Sequence, residues 1–515
     1  MTPLRKVVLA ALISVFPLTA IHAEEKVHWD VVDSIMDEAF NRSEVMENAS
    51  WLTDVFGPRN AKSPSYIAAA EWARDRLKKY GLDSAHLEAY KFGVGYENKY
   101  TSVHMMTPKY MPIIAYPATW SSGTNGEVKG HAVYINLDEI RSEADLDPYR
   151  GKLKNAIVLK HPKQPVPQNF SPPATRFTDE QLDEMAKIKI GPREREVRGR
   201  GSREKREGFS INDVIKFLFD EGCIAMLRTD GRSDFGTVVV ENNDYTLRNK
   251  LWEESVTFRP TELVIAAEHY NRIMRVLEKD VPVELQLDVR MSFNTGDLND
   301  YNVVAEIPGS DLADEIVLIG AHLQANPAGQ GAADDVAGVV ACMEVVRIFE
   351  ALDIKPRRTI RIGLWGGHEM GVFGNTSHVA KNFADFETKE YKKDYDNLSA
   401  YFNLDHGSGR IRAVSIQGSG PLRAIFGEWM KPLHNLGMTH LFDFGSEHES
   451  YDEVGLPSYY FVQDRMDTRQ YHSNMDTFDR LVEEDLMANA VILATFTYHA
   501  AMRDELLPRF APRPW

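Results

Sequence analysis

The spacing of hydrophobic and polar positions changes twice along the chain. Between about residues 27 and 86 it is helical. In "SPSYIAAAEWARDRLKKYGL" apolar residues recur at helical intervals, with Ser63 placed as a cap and Gly81 as a stop. From about 100 to 290 short β-rich runs, "HAVYINL", "NAIVLKH", "IAMLRT" and "GTVVVE", alternate with turns. From about 300 onward strand-like runs ("NVVAEIPG", "EIVLIGAHL", "TIRIGLWGG", "LSAYFNLDHG", "RAVSIQG", "PSYYFVQ") alternate with helical ones, notably "AGVVACMEVVRIFEALD" and "EEDLMANAVILATFTYHAAMRDEL". This predicts an α/β fold: a mixed, largely parallel sheet flanked by helices. The expected division is a helical part at 24–100, a β-rich insert at 101–290 and the α/β domain at 291–515.

Within the α/β part the apolar runs end on residues of one chemical kind. "EIVLIGAH" ends at His322, "IRIGLWGGHE" at His368 and Glu369, and "LSAYFNLD" at Asp405. "PSYYFVQ" is followed by "YHSNMD" with His472, and "GAADDVAG" sets Asp334 and Asp335 before a helix. These positions lie at the carboxyl ends of strands or at a helix start, the edge where open α/β sheets bind ligands. His322, His472, Asp334, Glu369 and Asp405 offer nitrogen and oxygen donors without thiolate, a set suited to zinc. Five such residues exceed one structural tetrahedron and suit two ions sharing a bridging carboxylate.

Taken singly, each has a plainer reading. His322 could be a hydrogen-bonded core residue, Asp334–Asp335 an N-cap, Asp405 the close of a turn and Asp476 a cap. Their combination points to a metal centre. His368-Glu369 does not start an HExxH motif, because Val372 stands where the second His is required. The chain has no G-x-S-x-G elbow and no Walker A sequence.

Composition adds boundaries. A formal net charge of -17 argues against nucleic acid as a partner. Residues 1–23 carry Arg5 and Lys6, an apolar run from Val7 to Ala20 and a small residue at Ala23, the pattern of a secretory signal. Secretion or a periplasmic location is expected, with no membrane association once the leader is removed. Cys223 and Cys342, the only two cysteines, are expected to be free. The charged stretch 187–208 reads as a solvated loop.

The blocks "HLQANPAGQGAADDVAG", "KPRRTIRIGLWGGHEMGVFG", "NLDHGSG", "EVGLPSYYF" and "YHSNMDTFDRL" resemble, in order and spacing, those of the co-catalytic di-zinc exopeptidases. These include bacterial aminopeptidases, glutamate carboxypeptidase and, closest in layout, carboxypeptidase Q. "GKLKNAIVLK" and "EGCIAMLRT" resemble the protease-associated domain inserted in such enzymes. The resemblance implies that His322 and Asp405 bind one zinc, Glu369 and His472 the other, and Asp334 bridges, with Asp335 shaping the bridge. It implies a short peptide as substrate and leaves a homodimer open.

Two positions depart from the family. Gln324 stands where an Asp orients the first imidazole, and its side-chain carbonyl is expected to accept the ring N–H. His368 stands where the family has its glutamate base. It is expected to act as the base. The alternatives are that it binds metal, or that the protein is a pseudo-peptidase holding metal or peptide without turnover. A third reading keeps an enzyme but changes its reaction to that of the related glutaminyl cyclases. His448 and Tyr451, in "GSEHESYDEVGLP", are expected beside the substrate.

Overall fold

The computed structural model describes residues 25–189, 209–232, 234–405, 407–416, 419–443, 449–467 and 469–509. The expected leader 1–23, residues 190–208 of the charged stretch and His448 lie outside the described residues. The chain begins with helices α1 (Trp29–Asn41) and α2 (Pro64–Lys79). Ser63 caps α2 through a hydroxyl that accepts from the Tyr66 N–H at 3.1 Å, and Pro64 sits at a first-turn position where no N–H is needed. Gly81, at φ +106°, takes the chain out of the helix with a backbone that side chains rarely adopt.

The main sheet has eight strands: β1 (His86–Lys91), β2 (Asn299–Ile307), β3 (Leu312–His322), β4 (Arg358–Trp365), β5 (Leu398–Asn403), β6 (Ile411–Ser415), β7 (His440–Phe442) and β8 (Ser458–Gln463). Their order is β1-β2-β4-β3-β5-β8-β6-β7. The centre, β4-β3-β5-β8, is parallel. The pairs β1-β2, β2-β4 and β8-β6 are antiparallel.

The central strands are buried on both faces, which explains their unbroken apolar runs. Val317, Ile319 and Ala321 of β3 face helices α3 (Ala337–Ala351) and α5 (Glu483–Met502). Ile316 and Leu318 face the side covered by α4 (Phe373–Asn382). Helix α5 is buried nearly all round, so its sequence lacks a polar stripe.

Because β1 and β2 are antiparallel neighbours, the chain leaves the sheet after 91 and returns at 299 beside its exit. The segment between builds a second eight-stranded sheet whose long antiparallel stem pairs Gly95–Thr107 with Glu284–Asn294. This sheet reaches a few residues beyond the expected 101–290. It is also less purely β than its texture suggested. Strands Val128–Tyr134, Ala156–Leu159, Ala225–Arg228 and Glu262–Ile265 run parallel, joined by helices such as Ile211–Asp220 and Ala267–Leu277.

"GTVVVE" joins neither sheet. Val239 forms an isolated bridge with Ser473 of the main unit, and Val238, Val239 and Val240 are buried. An apolar run shows that a segment is covered, not what covers it. Cys223 and Cys342 are free and buried.

Candidate metal centre

The parallel strands deliver their terminal residues to one edge. His322 is the last residue of β3, His368 and Glu369 follow β4 across a Gly366-Gly367 turn, and Asp405 follows β5. A Cβ on Gly366 would lie 2.4 Å from the Tyr90 hydroxyl, so only glycine lets the turn pass there. Asp334 and Asp335 sit in a one-turn segment, Ala332–Val336, before α3, and the peptide between them is cis.

Two buried features hold that segment. The Arg59 guanidinium donates to the carbonyls of Leu323, Leu52 and Gln330 at 2.7 Å each and of Gly331 at 3.0 Å. The Asp476 carboxylate accepts from the N–H groups of Ala333 (2.6 Å) and Asp334 (3.3 Å). Asp476 is therefore no local cap of its own turn; it braces Asp334 from a distant loop. Burial pushes its carboxyl up to about 7.

The side chains converge. His322 Nε2 lies 2.8 Å from Asp334 Oδ1 and 3.2 Å from Asp405 Oδ1. His472 Nε2 lies 2.9 Å from Asp334 Oδ2 and 3.3 Å from Glu369 Oε1. Asp334 thus faces one imidazole with each oxygen, the arrangement a bridging carboxylate requires. Asp335 turns away, accepting from the Gly338 N–H at 2.9 Å and the His322 N–H at 3.2 Å. His368 stacks on His322, ring centroids 4.2 Å apart and planes 3° from parallel, with Nε2 3.2 Å from Asp405 Oδ2.

Asp334 Oδ2, Glu369 Oε1 and His472 Nε2 are buried and crowd together without a properly angled hydrogen bond. Ligand atoms of His322, Asp334 and Glu369 all lie within 4.8 Å of one another. Converging, unpaired donors of this kind fit a hard or borderline cation.

The electrostatics agree. Burial works against charge on His322 and His472, but carboxylates outweigh it: Asp405 and Asp334 for His322, Glu369 and Asp334 for His472. Both imidazoles are held well above the usual histidine pKa. The direction of both shifts reflects an acidic pocket that favours positive charge. His368 goes the other way, since burial lowers its pKa and favours the neutral ring.

Two sequence expectations change. The Gln324 side chain does not orient His322. The ring nitrogen Nδ1 meets the Gln324 backbone carbonyl at 2.5 Å instead. The side chain accepts from the Glu369 N–H at 2.9 Å and donates to the Ala325 carbonyl at 2.7 Å. Tyr451 is no substrate neighbour. It is fully buried against Tyr401, ring centroids 4.2 Å apart. Sequence reasoning also missed Glu241, whose Oε1 lies 2.5 Å from His472 Nδ1. Its only signal was the polar end of "GTVVVE".

Among the described residues no helix is long and apolar enough to cross a membrane. The family model for peptidase family M28 matches residues 302–497. Carboxypeptidase Q of Mus musculus is 30% identical over 479 residues, covering 91% of this chain and 87% of its own. That of Bos taurus is 25% identical over 499 residues, covering 94% and 92%. A peptidase M28 precursor from Shewanella amazonensis superposes with a TM-score of 0.65 at 23% identity, over 94% of this chain and 99% of the other. A zinc aminopeptidase from Bacillus subtilis superposes at 0.54 and 14% identity, over 90% and 95%. With a relative of this identity matched along nearly its whole length, and the family blocks gathered at one sheet edge, the chain belongs to peptidase family M28.

Proposed function

We propose that the protein is an exported zinc exopeptidase acting on short peptides through two metal ions. His322 and Asp405 would hold one ion, Glu369 and His472 the other, and Asp334 both. The observation that carries this reading is Asp334, with one oxygen directed to each imidazole. When bound, the ions polarise the scissile carbonyl and acidify the attacking water.

His368 serves as the proton carrier. His322, His368 and Asp405 also bring ligand atoms within 4.8 Å of one another, but two parallel rings stacked 4.2 Å apart cannot both aim an in-plane lone pair at one ion, so His368 is read as free for proton transfer. A neutral imidazole can accept a proton at Nε2 and release it to the leaving amine, with Asp405 Oδ2 3.2 Å away to favour the cation in between.

A cleft of about 260 Å³ opens against Tyr471, the residue before His472. Arg232, Asp234 and Val239 line it from the insert, and Asp467, Arg469 and Tyr471 from the main unit. It is the substrate site in this reading, with the protease-associated-like insert as one wall. The pattern of residues 1–23 supports export.

A second reading, a silent peptidase that binds without turnover, draws on the absence of a carboxylate at position 368. Hydrolysis of a dipeptide library by the zinc-loaded protein separates the two. Chelator-sensitive turnover is expected, with His368→Ala lowering kcat by about 10²- to 10⁴-fold at unchanged metal content. Silence in the wild type with activity gained in His368→Glu would establish the second reading.

A further inference from the structure

The insert does more than flank the cleft. Segment 238–242 lies along the loop carrying His472. The Val238 N–H donates to Asn474 Oδ1 at 2.7 Å, the Asn474 N–H to the Val238 carbonyl at 3.1 Å, and the Val240 N–H to the His472 carbonyl at 3.0 Å. The contacts end in Glu241 against His472 Nδ1 and in Asn242, whose Nδ2 donates to the Glu369 carbonyl at 2.8 Å. His472 and Glu369 are the pair read above as ligands of one ion. The other pair is held from within the main unit: His322 by the Gln324 carbonyl and Asp335, and Asp405 against His322 and His368.

We propose that Glu241 is a positioning residue for the metal centre, supplied by the insert. Its carboxylate fixes the tautomer and ring angle of His472, so the ion on the His472–Glu369 side is bound fully only when the insert is docked. A carboxylate on the far nitrogen makes Nδ1 the donor and leaves Nε2 its lone pair for metal, and it raises the basicity of the ring. Arg232 Nη2, 2.7 Å from the same Glu241 oxygen, holds the carboxylate in place from within the insert. The two halves of the centre thus have different dependencies, one on the main sheet alone and one on its junction with the insert.

This inference rests on the metal-centre reading but is tested separately from it. Zinc is titrated calorimetrically into metal-free, full-length protein. Two binding steps in the wild type support the two-ion reading. Glu241→Ala is expected to weaken one step by about 10- to 100-fold and spare the other. Glu241→Gln, which keeps an acceptor oxygen without the charge, should fall between. His472→Ala identifies the affected step, and adding Glu241→Ala to it should weaken that step no further. Unchanged melting of metal-free Glu241→Gln separates positioning from a general folding defect. Equal weakening of both steps, no weakening, or full additivity with His472→Ala overturns the proposal. A wild type with one step overturns the two-ion reading, and Glu241 is then judged by whether its loss weakens that step.

Discussion

Gln324 shows how one residue's backbone and side chain can do separate work. Its carbonyl receives the His322 ring N–H, and its amide spans from the Glu369 N–H to the Ala325 carbonyl. Gln324→Ala should therefore leave His322 oriented but remove a strut under Glu369. The expected cost is about 1–2 kcal/mol, from polar groups that lose their partners. Urea unfolding measures it, and an unchanged midpoint would show the strut to be idle. Four of the five candidate ligands were legible in the sequence because each ends an apolar run or opens a helix, and His472 because its block resembles the family's. Glu241 was not, because its partner His472 is distant in sequence. Asp476 was misread for the same reason: proximity along the chain suggested a cap, while its hydrogen bonds go to Ala333 and Asp334.

Helices α1 and α5 are tied through a single imidazole. His499 near the end of α5 donates from Nδ1 to the Thr495 carbonyl at 2.7 Å and accepts at Nε2 from the His28 N–H, which opens α1, at 3.1 Å. The bond accepted at Nε2 needs the neutral ring, and burial lowers the pKa from 6.5 to about 4 although the Thr495 carbonyl opposes it. Above 6.5 neither folded nor unfolded chain protonates it. Between the two values the unfolded chain takes the proton and the folded one does not. Stability should thus decline as pH falls from 6.5 toward 4, by about 3 kcal/mol from this group. Urea midpoints at pH 7 and 4.5 test it. A decline equally steep in His499→Gln would remove His499 as the cause. At this scale the strands of the main sheet and the long helices were readable from periodicity. "GTVVVE" was not, because its covering partner is a loop of the other unit.

Across the whole molecule the buried acidic cluster is a stability liability that cations relieve. Asp334, Glu369 and Asp405 crowd around His322 and His472, and their charge raises the pKa of both imidazoles. An ion bound only by the folded protein adds about 2.7 kcal/mol when its free concentration is 100 times its Kd. Chelation should lower the melting temperature and abolish turnover together, and zinc should restore both. Differential scanning calorimetry with and without chelator makes the comparison. Unchanged melting after verified metal removal would mean that the ions do not stabilise the fold.

Local order along the chain was sufficient for the alternation of strand and helix, the capping of α2 and the placing of His322, Glu369, Asp405, Asp334 and His472 at one edge. The elements follow from side-chain period, four of these residues from their place at the end or start of an element, and His472 from the resemblance of its block. Only the tertiary structure decided that Tyr451 is core, that the backbone rather than the side chain of Gln324 orients His322, and that the insert reaches His472 through Glu241. These depend on contacts between residues far apart in sequence. Periodicity reports whether a segment is covered; the packing of the two sheets determines by what.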